Sequence, residues 1–470
     1  MDALFDGGLS LGLQALLLFC LLVALAFEFV NGFHDTANAV ATVIYTNSLR
    51  PTVAVLISGV CNFVGVFAGG IAVAMGIINL LPVELLVMGG PGAGLAMVLA
   101  LLLSAITWNF GTWYLGLPSS SSHTLIGSIL GVGLANSLGA GHRFGDGVNW
   151  GKAAEIGLSL LVSPFVGFAA AFGLFWVIRR YTRNPALVRA PAGGEPPPTG
   201  TRAILIGTCS AVSFAHGSND GQKGVGLVML ILIGLVPAGF ALDRGADGSA
   251  LATSVAASER IEAMIVAHGD AAGQAAIAGV RGRLDDLQAR LGAVGSVDDV
   301  PAAERFAVRQ DILLADRAIG ELVKAGHLGL GEAEARELAA SRKAMRRVTE
   351  YAPPWVLLAI ALSLGLGTMV GWRRIVVTVG ERIGKSHLTY AQGMSAEVVA
   401  ASAIGLASLS GLPVSTTHVL SSGVAGTMVA HRSGLNRGTV RSIALAWVLT
   451  LPVSVVLAGG LFLGLRRVLG

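Results

Sequence analysis

Gly116-Leu117-Pro118-Ser119-Ser120-Ser121-Ser122-His123 returns later in the chain as Gly411-Leu412-Pro413-Val414-Ser415-Thr416-Thr417-His418, both copies lying in apolar sequence. Each copy is preceded by an acidic motif, Asn31-Gly32-Phe33-His34-Asp35-Thr36-Ala37-Asn38 in the first half and His216-Gly217-Ser218-Asn219-Asp220-Gly221-Gln222-Lys223 in the second. Asp35 precedes Pro118 by 83 residues and Asp220 precedes Pro413 by 193, an excess of 110 that matches the long polar stretch 241–350. Excising that stretch restores one interval in both halves. The chain therefore reads as a duplicated unit whose second copy carries an insertion.

Of the 470 residues 53% are hydrophobic and 13% charged, a balance that excludes a soluble multidomain protein. The apolar runs Leu9–Phe29, Thr52–Ile78, Ala93–Leu115, Ile156–Ile178, Ala203–Leu235, Trp355–Val370 and Ile443–Leu465 reach or approach the length that spans a bilayer as helix. The shorter Ser/Thr-rich segments read as re-entrant hairpins, which need burial in protein or a wet cavity. The predicted fold class is an all-α polytopic membrane protein of two inverted repeats, with broken transmembrane helices and about 10–12 membrane segments.

Short basic loops set the expected topology. Arg50, the Arg179–Arg202 joint, the Arg373–Lys385 segment and the Arg432–Arg441 segment read as cytoplasmic, with both termini outside. The acidic motif is then entered from outside in the first half and from the cytoplasm in the second, so the repeats are inverted. This layout is that of secondary transporters with a midplane site. The expected organisation is a first repeat over 1–178, a cytoplasmic linker over 179–202, the start of the second repeat over 203–240, a helical extramembrane insert over 241–350 and the remainder of the second repeat over 351–470.

The insert carries helical stretches at Ser258–Ala267, Ala275–Leu291, Ala303–Ala325 and Glu332–Tyr351 and is expected on the extracytoplasmic face. The first apolar run lacks a basic n-region and runs on into Glu28, Asn31, His34 and Asp35, so it is expected to be retained rather than cleaved. Cys20, Cys61 and Cys209 have no Cys-x-x-Cys spacing, and neither a disulfide framework nor a zinc site is expected. A formal charge of +4 is spread over short loops rather than gathered with aromatics, so nucleic acid is not an expected partner whereas membrane lipid is.

Ionisable groups at membrane depth cost roughly 2.5 to 3.5 kcal/mol each, so Glu28, Asp35, Asp220, Lys223 and Glu397 require a reason. Transport is the functional reason; mutual pairing or helix capping is the alternative, and Lys223 has the further alternative of reaching to an interface. The small residues Gly32, Ala37, Gly217, Ser218, Gly221 and Gly224 predict unwound helix at the aspartates. There Asp35, Asn38, Asn219 and Asp220 would give oxygen ligands to a cation or accept protons. Ser119, Ser120, Ser121, Ser122, Ser415, Thr416 and Thr417 follow prolines, as at a helix start, and offer hydroxyls and free N–H groups to a tetrahedral oxyanion. Small-residue helix packing is the alternative for them. His123 and His418 either orient those hydroxyls or, with His34 and His216, relay protons.

At these motifs the chain resembles the inorganic phosphate transporter (PiT) family, over residues ~10–240 and ~351–465, whose members carry an Asn-Asp signature and a Pro-x-Ser-x-Thr-His loop twice. The resemblance implies cation and substrate contacts at Asp35, Asn38, Asn219 and Asp220, and phosphate contacts at Ser121, Ser122, Thr416 and Thr417. It gives Glu397, sixteen residues before Pro413, a coupling or gating role. Departures from the family pattern are His34 and Lys223, each standing where the signature has Asn. With an ammonium in the space of a metal cation, the resemblance points to the proton-coupled branch, with sodium coupling as the alternative. It implies inorganic phosphate as substrate, alone or as a metal complex, a homodimer, the cytoplasmic (inner) membrane, no cofactor, no certain metal and no enzymatic activity. A sulfate permease is the alternative within the family. A passive channel fits opposed half-sites poorly, and an intramembrane Ser/His hydrolase lacks a Gly-x-Ser-x-Gly elbow.

Overall fold

The computed structural model describes residues 10–78, 80, 90–138, 143–145, 148–191 and 195–469, and every extended run of secondary structure among them is helical. The first half contains α1 (Leu11–Tyr45), α2 (Pro51–Ala68), α3 (Ala72–Ile78), α4 (Gly90–Tyr114), α5 (Ser121–Asn136) and α6 (Trp150–Tyr181). The second opens with α7 (Thr199–Leu235). After it come α8 (Gly248–His268), α9 (Gln274–Leu291), α10 (Arg305–Lys324) and α11 (Glu332–Arg346) of the inserted stretch. Then follow α12 (Pro354–Thr368), α13 (Arg373–Val377) with its π-helical continuation Thr378–Arg382, α14 (Tyr390–Leu409), α15 (Thr416–His431) and α16 (Arg437–Leu469).

With α8–α11 set aside, the order of the first half repeats in the second. α5 and α15 each have 16 residues, and α6 and α16 each carry an internal proline, Pro164 and Pro452. The local signals are conventional: prolines open α2 and α12, and Thr389 with Gln392 forms a capping box on α14.

Residues 18–80, 90–230 and 353–469 form one compact unit. Its helices interlock across the duplication, because α5 packs on α16 and α15 on α6, so each hairpin helix rests on the long proline-containing helix of the other half. A core from α1, α7, α14 and α15 closes around Val40, Leu205, Val212, Met394, Ala396 and Leu420.

The predicted unwinding at the aspartates is absent. α1 and α7 run through Asp35 and Asp220 without interruption, and the breaks fall one helix later. α2 and α3 part at Gly70 (φ 68°), and α12 and α13 at Gly371 (φ 74°), where the chain bends by 55°. The run Thr52–Ile78, read as one span, is thus a broken one. Glycines beside the aspartates serve close approach instead: a Cβ on Gly32 would lie 2.4 Å from the Leu364 carbonyl, and one on Gly217 only 2.1 Å from that of Asn62. α1 therefore crosses α12, and α7 crosses α2, at backbone contact, the use of small residues where lipid gives no hydrophobic drive to association.

Among the described residues five helices are long and apolar enough to cross a membrane, six if the bent α12–α13 pair counts as one span. The difference from the larger sequence-based number lies in α7, whose middle carries the His216–Lys223 motif, and in the short hairpin helices. Outward rows such as Leu158, Leu161, Phe165, Phe172 and Trp176 on α6 suit lipid, not water.

Residues 231–352, with 10–17, form the other compact unit. α8–α11 bury their own core, including Leu251, Ile261, Leu284, Ile312, Ile319 and Leu338. The four predicted helical stretches are present, the first beginning earlier, at Gly248, where Asp247 caps it. Arg309 is buried and donates to the carbonyls of Ala241 at 3.1 Å and Thr349 at 2.9 Å. Burial pulls its guanidinium down to about 10, which still leaves it charged at neutral pH.

Candidate functional site

Both serine-rich loops are built alike. Gly116 and Gly411 turn the chain with φ of 69° and 68°, values that favour glycine. Ser120 then caps α5 by accepting from the His123 N–H, and Ser415 caps α15 by accepting from that of His418. The free N–H groups of the two helix N-termini are thereby placed next to the remaining hydroxyls.

Those hydroxyls meet the aspartates. Ser121 Oγ lies 2.8 Å from Asp35 Oδ2 and 3.3 Å from Asp220 Oδ2, and Thr417 Oγ1 donates to Asp35 Oδ1 at 2.5 Å. One serine hydroxyl has one proton to give, so it cannot satisfy both carboxylates together. His216 occupies the same gap. Its Nδ1 is 2.8 Å from Asn62 Oδ1, an acceptor, which places the proton on Nδ1 and turns Nε2 toward the carboxylates, 3.6 Å from Asp220 and 3.9 Å from Asp35. Asn62 is held in that orientation by donating to Thr368 Oγ1 at 3.0 Å. Asp35, His216 and Asp220 offer ligand atoms within 4.8 Å of one another. Two buried carboxylates facing a ring nitrogen repel it and each other unless a proton or a cation lies between them.

Lys223 answers part of that charge. Its Nζ lies 2.6 Å from Asp220 Oδ1 and donates to Ser122 Oγ at 2.6 Å, while Ser122 donates to the Val414 carbonyl at 2.8 Å. Its side chain is 1% exposed, which overturns the reading that the ammonium reaches an interface. His34 is fixed on the other aspartate, Nδ1 3.1 Å from Asp35 Oδ1 and Nε2 3.2 Å from Thr112 Oγ1, with Ser119 bonded to the same threonine at 2.9 Å. A cavity of about 10 Å³, lined by Asp35, Asn62, His216 and Thr416 among others, adjoins the cluster. That is the lower end of what one water requires.

Comparison with known proteins identifies the family. The profile of the phosphate transporter family matches residues 31–458. The chain belongs to the phosphate transporter family. It is 46% identical to the low-affinity inorganic phosphate transporter PitA of Escherichia coli (strain K12), over 97% of each chain. To PitB of the same organism it is 43% identical over the same shares. A low-affinity inorganic phosphate transporter of Buchnera aphidicola subsp. Acyrthosiphon pisum (strain APS) is 40% identical over 96% of each. A solved sodium-dependent phosphate transporter shares the fold at a TM-score of 0.56 and 20% identity, covering 97% of this chain and 100% of that one. As a member of this family of transporters the chain is a multi-pass membrane protein and not an enzyme.

Within this family member the expected site residues divide. Asp35, His34, Asp220, Lys223, Ser119, Ser121, Ser122 and Thr417 converge, and Thr416 faces the small cavity. Ser120 and Ser415 cap their helices, and Ser120 Oγ also lies 2.8 Å from His123 Nδ1. Asn219 spends its amide on the second loop, donating to Ser408 Oγ and the Leu412 carbonyl and accepting from Val414 N. It positions that loop, and its hydrogen bonds among the described residues do not include Asp35. Glu397 lies apart from the aspartates, accepting from the hydroxyls of Thr42 and Thr208. The Asn38 side chain falls outside the described residues. The His123 and His418 rings are tilted by 34° with centroids 4.6 Å apart, and Trp447 stacks on His418 at 4.0 Å. Asn62, Thr112 and Thr368 were not anticipated; a lone amide in the apolar run 52–78 was the available signal for Asn62.

Proposed function

We propose that the protein is a secondary symporter that imports inorganic phosphate across the cytoplasmic membrane, with protons as the coupling ion and the halves alternating access around Asp35 and Asp220. The observation that carries the coupling is the Lys223 ammonium, 2.6 Å from Asp220 Oδ1 and 2.6 Å from Ser122 Oγ. It is a tethered cation between an acid and the hydroxyl loop. One ammonium offsets one carboxylate and leaves Asp35 to be offset, together with the charge of the arriving anion. A proton shared by Asp35, His34 and His216 supplies that charge, and Ser121, Ser122, Thr416, Thr417 and the N-termini of α5 and α15 supply donors to the phosphate oxygens. Phosphate retains a proton that Asp35 or Asp220 accepts; sulfate has none to offer at neutral pH, which favours phosphate.

The test is labelled phosphate uptake into proteoliposomes under an imposed proton gradient, a sodium gradient and neither, with sulfate as competitor. Proton-driven, sulfate-resistant uptake is expected. Sodium-driven uptake without a proton gradient overturns the coupling, and sulfate inhibition overturns the substrate. The Asp35–His216–Asp220 cluster favours a second reading, in which a divalent cation travels as cargo with phosphate; equimolar uptake of labelled cation and phosphate would carry it. Both termini and the 241–350 insert are proposed to be extracytoplasmic, with thiol labelling of single cysteines from either side as the check.

A further inference from the structure

Trp113, Tyr114, Trp372, Arg373, Arg374 and Arg382 line an open cleft of about 580 Å³ that the transport reading leaves unused. Its shape comes from the second helix break. Gly371 and the π-helical turn Thr378–Arg382 swing the chain past the end of α4, and the two walls are tied by Trp113 Nε1 donating to the Gly371 carbonyl at 2.7 Å and Thr378 Oγ1 to the Gly116 carbonyl at 2.7 Å. Arg374 is fixed in the cleft. Its guanidinium lies over the rings of Trp113 at 5.2 Å and Tyr114 at 4.8 Å, and donates to the Tyr114 carbonyl at 2.8 Å. Among the described residues neither Arg373 nor Arg382 is ion-paired with a carboxylate. The neighbouring acid, Glu381, does not line the cleft.

Loop charge that sets topology accounts for arginines near a membrane surface. It does not account for a concave wall with one guanidinium clamped between aromatics and others unpaired beside it. Guanidinium forks match phosphate oxygens bidentately, and a clamped fork loses little freedom on binding. The volume is within the range of small-molecule sites. We infer that this cleft binds a phosphate-bearing anionic ligand, through Arg373, Arg374 and Arg382, at a place separate from the Asp35–Asp220 cluster. A lipid headgroup phosphodiester and free inorganic phosphate present the same chemistry, and the test distinguishes them.

Full-length protein is washed in detergent. Phosphatidylglycerol retained from vesicles of phosphatidylglycerol and phosphatidylcholine is then counted, and equilibrium binding of labelled inorganic phosphate is measured on the same preparation. Arg373→Gln/Arg382→Gln is compared with Arg441→Gln, an arginine outside the cleft. The double variant is expected to lose about tenfold in one arm. A fall in lipid retention alone assigns the site to a headgroup. Loss of a second equivalent of bound phosphate alone, with the first retained, assigns it to the free ion. Equal values for the double variant and Arg441→Gln in both arms overturn the site. Should the double variant fail to fold, Arg373→Lys/Arg382→Lys keeps the charge and loses the planar fork; unchanged binding there overturns the guanidinium argument. Uptake is not a readout, so the result stands apart from the transport reading.

Discussion

The two hairpins share a backbone and differ in chemistry. Each turns on a left-handed glycine, caps its helix with a serine and continues for 16 residues. Yet the first brings Ser121 to both aspartates and Ser122 to the Lys223 ammonium, whereas the second brings Thr417 to Asp35 and leaves the Thr416 hydroxyl without a hydrogen-bond partner among the described residues. Duplication therefore preserved the scaffold while the partners diverged. One difference in sequence stands three positions after each aspartate, Asn38 in one half and Lys223 in the other. A helix turn carries that position to the same face as the acid, and the Lys223 ammonium there donates to Ser122 of the first hairpin at 2.6 Å and more distantly, at 3.4 Å, to the Val414 carbonyl of the second.

The comparison breaks most severely at the aspartate both hairpins share. Asp35→Asn removes the charged acceptor of Ser121, Thr417 and His34. Charged hydrogen bonds are worth about 1.5 to 3 kcal/mol each, so uptake in proteoliposomes is expected to fall about a hundredfold or more. Next comes Lys223→Asn, which makes the second half match the first. Proton-driven uptake should drop about tenfold and become sodium-stimulated; the loss of one partner of a buried pair should also cost stability of about 3 to 5 kcal/mol. Unchanged rate and ion dependence would show that the ammonium has no part in coupling.

Smaller effects sharpen the comparison. Thr417→Val keeps the shape of the second hairpin and deletes its bond to Asp35. It should raise the KM for phosphate by about tenfold, the value of one charge-assisted bond, with less change in kcat. Ser120→Ala and Ser415→Ala should be the mildest pair, each costing about 1 kcal/mol of thermal stability as a lost N-cap, with Ser120→Ala the larger because its Oγ also meets His123 Nδ1 at 2.8 Å. Equal melting shifts for the two would mean that the Ser120 contact with the His123 ring adds nothing to the cap.

Much of this was readable in the chain. The matched spacing of acid and hydroxyl motifs gave the duplication and located the insertion, since a repeat leaves its interval in the sequence whatever the fold. Proline followed by serines announced a helix start, because proline lacks the N–H that a first turn leaves unpaired and serine accepts one that remains. The helix breaks were misplaced. Glycine near Asp35 and Asp220 is compatible with an unwound turn and with a close crossing, and only the backbone of α12 or α2 against it distinguishes them. Asn219 and Glu397 were grouped with the aspartates by motif and by charge, but adjacency along a helix says nothing about which neighbouring helix a side chain meets. Asn219 points to the second loop, and Glu397 to Thr42 and Thr208.

By itself the sequence determined that this protein is a helical membrane transporter with twice-occurring acid and hydroxyl motifs and a lysine beside one of its acids, because composition, interval and residue type are local quantities. Tertiary structure alone decided which groups meet. Backbone crossings at Gly32 and Gly217 bring α1 against α12 and α7 against α2. They thereby set Asn62 behind His216 and both carboxylates around one Ser121 hydroxyl. Contacts of that kind join residues far apart in the chain, and their energies depend on distance and burial that no local pattern encodes.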